Sequence, residues 1–434
     1  MKTVLERAKG SALDVFVCFT CPVSTVTLLL PPTKQIGSLC FASYSWTRIR
    51  KFVELNPGPL PLLRTLRIIT RKEDDVDNPD AMIPPSLLFF SSAVDLQEFR
   101  LESECPPLLN RFVFPSLTLF ELSVTKVEGF RASLLLDFLE ASPMLRTVHL
   151  KILTDILFDD IPRERAIVLP NVESLSLVSD GEPGYNLVTH ISCPMVKDTS
   201  LTHKKDVDDI ILCRIFPDPA SWDTIVRQYK KNLVEQVTLE IKTRRGYKIL
   251  MCSLIFESPN AVLRLCLEFT KDWDKNEADF KTPLDEIHCG VFSEACRIIR
   301  DLPLLASVKH LKICPSTNVS KYTRVTPIAN EVGRLFKSLG PLEELTLSRC
   351  DMRPYFAPSV VFPSIKELTI SHPLCPPREG FEAAIVGLAK SQHALGVGFE
   401  SVTVDMDDLP EEMAKRLGLW VRVVCCRERS YRGN

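Results

Sequence analysis

The sequence lacks an excess of charge of either sign. Its 434 residues include 53 Lys and Arg against 55 Asp and Glu, a formal net charge of −2. Proteins that bind nucleic acid or an anionic membrane through their overall charge carry a basic surplus. The charge balance therefore predicts no nucleic-acid partner and no membrane partner, and we expect any partner to be recognised by local shape.

Motifs of common enzyme families are also missing. The chain contains no GxxxxGK[ST], no GxGxxG after a predicted strand and no HExxH, the patterns typical of phosphate, dinucleotide and metalloprotease sites. His288 and His372 have no Ser, Asp or second His at a spacing that local structure would bring together. We predict that the chain is not an enzyme and that it holds no cofactor and no metal.

The fifteen cysteines show no regular spacing, which favours a reducing compartment over a disulfide framework. Cys18 and Cys21 form one CxxC pair, which is either a redox pair or half a zinc site, or a pair of core cysteines on a strand; we favour the core. The apolar run from Val15 to Leu30 is interrupted by polar residues, which predicts two strands rather than a membrane span. No convincing signal-peptide cleavage site follows the first residues, so the predicted location is cytoplasmic or nuclear.

A short apolar phrase, Leu-x-x-Leu-x-Leu, recurs along the whole chain and is cleanest at Leu342, Leu345 and Leu347. Its last two apolar residues are two apart, which places both on one face of a short strand. One such strand cannot bury its own apolar face, so we expect the copies to stack as an array with a parallel sheet along one side. The copies begin at Leu63, Leu96, Leu117, Leu145, Val172, Val196, Val234, Val262, Val308, Leu342, Ile365 and Phe399.

Helical patterns fill several of the gaps between copies. Apolar residues from Ile328 to Leu339 recur at i, i+4, i+7, i+8 and i+11, with Gly340 as a helix stop, and residues 134–139 and 381–388 are similar. The predicted fold class is α/β: a leucine-rich-repeat-like solenoid, or horseshoe, with a parallel sheet on the concave side and helices and loops on the convex side. We predict one irregular domain over residues 1–434, with residues 405–434 as its C-terminal cap.

Residues that alternate with the buried ones should point out of the sheet on its concave face. A continuous surface of this kind can hold a protein partner over a large area. The alternative is that each side chain only keeps its strand soluble. The candidate partner-binding residues are Arg67, Glu98, Arg100, His149, Gln236, Arg264, His310, Lys312, Glu344 and Glu367.

Two N-terminal segments, LERAKGSALDV at 5–15 and RIRKF at 48–52, resemble successive strands that follow the F-box in the F-box-type leucine-rich-repeat proteins of fungi, especially mushroom-forming basidiomycetes. The segments FPSL at 114–117, LEELTL at 342–347 and FPSIKELTI at 362–370 extend this resemblance over nearly the whole chain.

The resemblance implies the substrate-recognition part of a cullin-type ubiquitin ligase, in which the repeats hold an unidentified protein target and the F-box binds the Skp adaptor. No Leu-Pro-x-Glu helical opening precedes Leu5. We therefore expect the Skp adaptor as a partner only if an F-box lies upstream. The alternative is a stand-alone repeat scaffold for regulation or assembly with no ubiquitin-ligase link.

Overall fold

The structure is a computed structural model, and the chain divides into two compact units, Met1–His203 and Lys204–Asn434. Whether the two units form the single domain predicted over residues 1–434 depends on how they are joined, so the single domain stays a prediction. The structure describes residues 12–18, 33–44, 46–55, 58–70, 93–104, 109, 112–125, 130–153, 156–158, 161–162, 165–180, 183–206, 234–244, 249–270, 284–301, 308–314, 325–340, 342–348, 355, 365–371, 378–405 and 411–426.

The N-terminal unit is α/β, and its described residues contribute eight strands to a main sheet in which the strands follow chain order. All its pairings with a described register are parallel. The strands are β1 (Leu13–Cys18), β2 (Ile36–Tyr44), β3 (Thr65–Thr70), β4 (Glu98–Ser103), β5 (Leu119–Thr125), β7 (Thr147–Leu153), β10 (Ser174–Asp180) and β12 (Asp198–Asp206). Two further parallel pairs join β6 (Phe130–Arg131) to β8 (Ile156–Leu157), and β9 (Ile167–Val168) to β11 (Ile191–Ser192).

Alternation of apolar and polar residues is what makes these segments strands. In β4, Phe99, Leu101 and Ser103 are buried, whereas Glu98 and Arg100 are partly exposed. The same alternation in β3, β5, β7 and β10 stacks buried residues of consecutive strands against each other, because the parallel register places equivalent positions side by side. The sheet thus has one apolar face in the core and one polar face.

Six β-turns lead the N-terminal chain into its strands, at residues 60–63, 93–96, 114–117, 142–145, 169–172 and 193–196. In each turn the N–H of the fourth residue donates to the carbonyl of the first, over 3.1 to 3.4 Å. The chain then bonds to the previous copy: the carbonyl of Arg64 accepts from the N–H groups of Gln97 and Glu98, both over 2.9 Å. Because this pattern repeats from copy to copy, the apolar phrase corresponds to one structural unit.

A bulge sets the pairing of the first two strands. Leu13 pairs with Ile36 and Asp14 with Ser38, which leaves Gly37 as the extra residue. A Cβ atom at Gly37 would lie 2.7 Å from the Cβ of Ala12, closer than carbon atoms pack. Glycine is therefore required at this position by close approach of the neighbouring chain.

The interpretation of residues 48–52 as a strand is wrong: they belong to helix α1 (Trp46–Leu55). Ile49, Phe52 and Val53 are buried, and their i, i+3, i+4 spacing places them on one side of a helix rather than one face of a strand. The strand next to β1 is instead β2, which ends just before the helix. The described part of segment 5–15 begins at Ala12 and enters β1; residues 5–11 lie outside the described residues.

In the C-terminal unit the part of the chain that the structure describes also contributes eight strands to a main sheet, in the order β15-β14-β13-β16-β17-β18-β19-β20. From β13 to β20 its neighbours are parallel. The strands are β13 (Gln236–Arg244), β14 (Ile249–Glu257), β15 (Val262–Thr270), β16 (His310–Cys314), β17 (Leu342–Ser348), β18 (Ile365–Ser371), β19 (Ser401–Asp405) and β20 (Val423–Cys426).

Strand β14 departs from the expected array of parallel copies. It pairs antiparallel with β13 on one side and with β15 on the other. The copies that begin at Val234 and Val262 are therefore not direct neighbours, as the repeat pattern predicted, but are separated by a strand in which no copy was predicted. The mostly parallel α/β sheet is confirmed, with this exception.

Helices accompany the strands in both units. The N-terminal unit has α1, α2 (Ala132–Glu140) and α3 (Pro183–Thr189), and the C-terminal unit has α4 (Leu284–Asp301), α5 (Val325–Ser338), α6 (Arg378–Ala394) and α7 (Glu411–Gly418). The predicted helices at 134–139, 328–339 and 381–388 coincide with α2, α5 and α6. In the predicted cap, α7 has Glu411 and Glu412 in its first turn and Lys415 and Arg416 in its last, the charge order that the helix dipole favours. No helix among the described residues is long and apolar enough to cross a bilayer.

Candidate functional site

A central row of side chains crosses the polar face of the N-terminal unit. Arg67 of β3 lies in register beside Arg100 of β4, which lies beside Glu121 of β5, which lies beside His149 of β7. Parallel strands are about 4.8 Å apart, so these four side chains form one continuous row across the strands. The structure thus brings Arg67, Arg100 and His149 together from copies that are far apart in sequence.

Arg100 is held between two carboxylates. Its guanidinium lies 3.6 Å from Glu98 and 3.5 Å from Glu121, and all three side chains are about two-fifths exposed. Exposed pairs of this kind stabilise a fold by only about 0–1 kcal/mol, so their main effect is to fix the orientation of the arginine. Arg67 makes no ion pair with any residue that the structure describes, which leaves its guanidinium available to a partner.

Cys40 of β2 lies in register with Arg67 and extends the same row by one strand. Burial raises the pKa of the Cys40 thiol above its ordinary value, and the nearby guanidinium of Arg67 opposes that shift. Because the desolvation effect is larger, the thiol is held in its neutral form. The thiol therefore adds a weakly polar group to the row rather than a charge.

Sequence reasoning missed Glu121 and Cys40. Glu121 stands between the buried Phe120 and Leu122, the same position that Arg100 occupies between Phe99 and Leu101, so the alternation rule would have identified it. Cys40 stands between the buried Leu39 and Phe41, in a copy of the phrase that begins at Ile36 and was overlooked in the sequence.

The polar face of the C-terminal unit carries a second row. Gln236 of β13, His310 of β16, Glu344 of β17 and Glu367 of β18 are in register across four parallel strands. All four are predicted candidates, and the structure places them side by side. Hydrogen-bond acceptors dominate this row, in contrast to the two adjacent arginines, Arg67 and Arg100, of the N-terminal unit.

Glu344 is the anchored member of this second row. Its Oε1 accepts a hydrogen bond of 2.9 Å from the hydroxyl of Thr346, and its Oε2 lies 3.4 Å from Nδ1 of His310. Glu367 is exposed and has no hydrogen bond or ion pair within the described parts of the chain. One carboxylate is thus oriented by its neighbours and the next is open to solvent.

Lys312 and Arg264 belong to an adjacent row but do not meet. Lys312 is in register with Thr238 of β13, Thr238 with Ile255 of β14, and Ile255 with Arg264 of β15. Strand β13 and the unpredicted strand β14 therefore stand between the two basic residues. The C-terminal candidates form one continuous row and two separate basic positions.

Metal chemistry receives no support from the described residues, among which no three His, Cys, Asp or Glu side chains converge to hold an ion. Cys18 lies half-buried on β1, whereas Cys21 lies outside the described residues, so the CxxC interpretation stays open. Cys193, Cys252 and Cys296 are free thiols buried in the core. Burial raises the pKa of Cys193 to about 12 and also raises the pKa values of Cys252 and Cys296.

We expect the free energy of unfolding to fall between pH 9.0 and about 12 in a way that depends on Cys193. The unfolded thiol releases its proton near the lower value and the folded thiol near the upper one, so the unfolded state binds fewer protons in this window. The loss for this thiol is up to about 1.4 kcal/mol per pH unit. Urea unfolding of the wild-type chain and Cys193→Ala at several pH values checks this; equal pH slopes would contradict it.

Neither comparison with known proteins assigns the chain to a group: no protein-family model matches it, and no curated protein is significantly similar to it.

Proposed function

We propose that this chain is a protein-binding leucine-rich-repeat scaffold whose polar sheet faces hold a protein target. The observation that carries the proposal is the registered row of polar side chains on each unit, built from residues that alternate with buried ones on adjacent parallel strands. Such a row places charges and hydrogen-bonding groups at regular intervals of about 4.8 Å, which suits contact with an extended protein surface. The proposal assigns no catalytic step to the chain.

The proposal includes a solenoid arrangement with the polar faces on the concave side. Its support is the regularity of the copies: the same β-turn and buried apolar residue recur six times in the N-terminal unit, and the shared carbonyl recurs five times. In the C-terminal unit the residues at the equivalent position alternate in charge from strand to strand. They are Glu235, Lys309, Glu343, Lys366, Glu400 and Arg422.

The proposed cellular role is recognition of a target for a cullin-type ubiquitin ligase. Its support is the sequence resemblance to fungal F-box-type repeat proteins, together with the mostly parallel α/β sheet. The alternative is the stand-alone repeat scaffold. If the genomic sequence upstream of Met1 encodes an in-frame F-box, the extended protein should co-purify with the Skp adaptor, and failure to do so would leave the stand-alone scaffold.

We expect charge reversal on a polar face to release the protein target. Affinity purification with quantitative mass spectrometry would compare the wild-type chain with Arg67→Glu plus Arg100→Glu, and with Glu344→Lys plus Glu367→Lys. At least one specifically bound protein should fall by about tenfold or more in one of these variants, since loss of a well-placed interfacial charge contact costs 1.4 kcal/mol or more.

The matched control reverses two exposed basic residues on helices, Lys337→Glu plus Arg416→Glu. It makes the same change in net charge as the arginine variant and should retain every partner. If both face variants also retain every partner, the polar faces are not the binding surface.

A further inference from the structure

The six β-turns of the N-terminal unit expose apolar side chains at the end of the sheet where its strands begin. At the second position of each turn stands an exposed Pro or Val. In three turns the third position is also apolar, at Leu62, Met144 and Met195. We call these nine residues the turn strip. The residues at the second position are Pro61, Val94, Pro115, Pro143, Pro170 and Pro194.

The turn strip is continuous because consecutive turns are stacked. The strands that follow the turns pair in register, and the side-chain amide of Asn171 donates a hydrogen bond of 3.0 Å to the carbonyl of Pro143 in the preceding turn. Five steps of about 4.8 Å give the strip a length of roughly 24 Å.

Turn geometry accounts for the prolines but not for the larger side chains. Proline suits the second position of a β-turn, whereas the third position favours small polar residues. Asp95, Ser116 and Asn171 occupy that third position in the other three turns, so polar residues fit there. The remaining three turns instead expose Leu62 at 44 %, Met144 at 48 % and Met195 at 60 %, and exposed large apolar residues beside the row of prolines and Val94 indicate a contact surface.

Basic residues follow the turns at the fifth position. Arg64, Arg146 and Lys197 are exposed there, against one acidic residue, Glu173. Lys197 forms an ion pair of 2.7 Å with Glu173, and Arg64 has no ion pair among the described residues. The pKa of Glu173 is lowered by Lys197 and also by Arg146, and Asp95 is an exposed carboxylate in the second turn. The fifth positions thus carry three basic residues against one acidic residue, with the two arginines three strands or roughly 14 Å apart.

This charge pattern distinguishes between possible occupants. A second copy packed about a twofold axis would place the first turn against the last, and so Arg64 against Lys197, which brings Arg64 no unpaired carboxylate. A bilayer surface is matched by aromatic anchors, and the turn strip consists of Pro, Val, Leu and Met. An amphipathic helix with acidic residues beside its apolar stripe matches both the apolar row and the arginines.

We propose that the turn strip is a second protein-binding surface, separate from the polar faces, that accepts an acidic amphipathic helix. A helix of about 16 residues spans the strip, at 1.5 Å per residue. Its leucines would cover Leu62, Met144 and Met195, and its carboxylates would pair with Arg64 and Arg146. This surface is independent of the target-binding proposal, since no residue of either row is used.

The test measures binding of the full-length chain to a fluorescent peptide helix with a leucine stripe and flanking glutamates. A peptide with lysines in place of the glutamates is the matched probe. We expect saturable binding of the glutamate peptide, binding of the lysine peptide weaker by about tenfold or more, and a similar loss for the variant Leu62→Asn, Met144→Asn, Met195→Asn. Asn already occupies this turn position at residue 171, so the variant should keep its thermal stability.

Two further variants complete the design. Arg64→Glu plus Arg146→Glu leaves the apolar row intact and should reverse the preference between the two peptides, which tests the proposal even if the asparagine variant misfolds. Leu395→Asn plus Leu419→Asn removes two leucines that are even more exposed, in the C-terminal unit, and should bind as wild type.

Several results would overturn the proposal. These are no saturable binding, equal affinity for both peptides, or undiminished binding by the asparagine variant. Sedimentation with phosphatidylserine vesicles that the asparagine variant loses would assign the strip to a membrane surface instead. A concentration-dependent dimer that this variant loses would assign it to a second copy of the chain.

Discussion

Leu345→Asp is expected to leave strands β16 to β18 unfolded at room temperature. Leu345 is fully buried and lies in register between Leu311 and Leu368, which are also buried. A carboxylate there has no charged partner in the apolar core, and burying an unpaired charge costs several kcal/mol. Because whole domains are stable by only about 5–15 kcal/mol, hydrogen exchange should find the amides of these strands unprotected and thermal unfolding should lose its cooperative transition.

Thr369→Asp is the matched control, because Thr369 lies on the opposite face of the same sheet, one residue after Leu368. Its side chain is partly exposed, so the new carboxylate stays hydrated and the change should be less than about 1 kcal/mol. Normal thermal unfolding of Leu345→Asp would show that the inward face of these strands has been assigned wrongly.

The success of the repeat pattern has a direct physical cause. Two apolar residues two apart, such as Leu345 and Leu347, share a face of any strand, and the alternation alone therefore reports which face is buried. The apolar residue three positions earlier, Leu342 in this copy, is also buried. Each copy could thus be located from sequence, because the spacing that defines a copy also determines which of its side chains are buried.

Strand β14 was missed although its sequence fits the phrase, at Met251, Leu254 and Phe256. Cys252, Leu254 and Phe256 alternate as a strand requires and are buried, but the apolar residues at 249–251 and 255 obscure this alternation in the sequence. A tight turn at 258–261 joins β14 to β15: the hydroxyl of Ser258 accepts from the N–H of Ala261 over 3.0 Å. The sequence Ser-Pro-Asn at 258–260 is a turn signal, so alternation combined with turn chemistry would have found this strand.

The partners of the site residues could not be predicted, even where their exposure could. Alternation predicts that Arg100 points outward, but its ion pair with Glu121 depends on the register between β4 and β5. That register is set by turns and backbone bonds that follow a connection of variable length. Which charges neutralise each other, and hence which remain free as Arg67 does, is a property of the assembled sheet.

Phe99→Ala is expected to destabilise the N-terminal unit by about 3–5 kcal/mol. Phe99 is fully buried at the centre of an aromatic cluster, with ring centroids 5.4 Å from Phe112 and Phe114, 5.8 Å from Phe120 and 6.2 Å from Phe138. The rings come from β4, β5, α2 and the loop between the two strands, so removing the central one leaves a cavity that all of them border. Urea unfolding would measure the loss.

Two controls separate the cavity from the loss of an aromatic ring. Phe16→Ala removes a ring that is 69 % exposed on β1 and should change stability by less than about 0.5 kcal/mol. Phe99→Leu keeps most of the apolar volume but loses the ring contacts, each of which contributes about 0.5–1.5 kcal/mol beyond its buried area, so its cost should lie between the other two. If Phe99→Ala and Phe16→Ala unfold at the same urea concentration, the cluster does not form the core of this unit, because only a closed core leaves a cavity when its central side chain is removed.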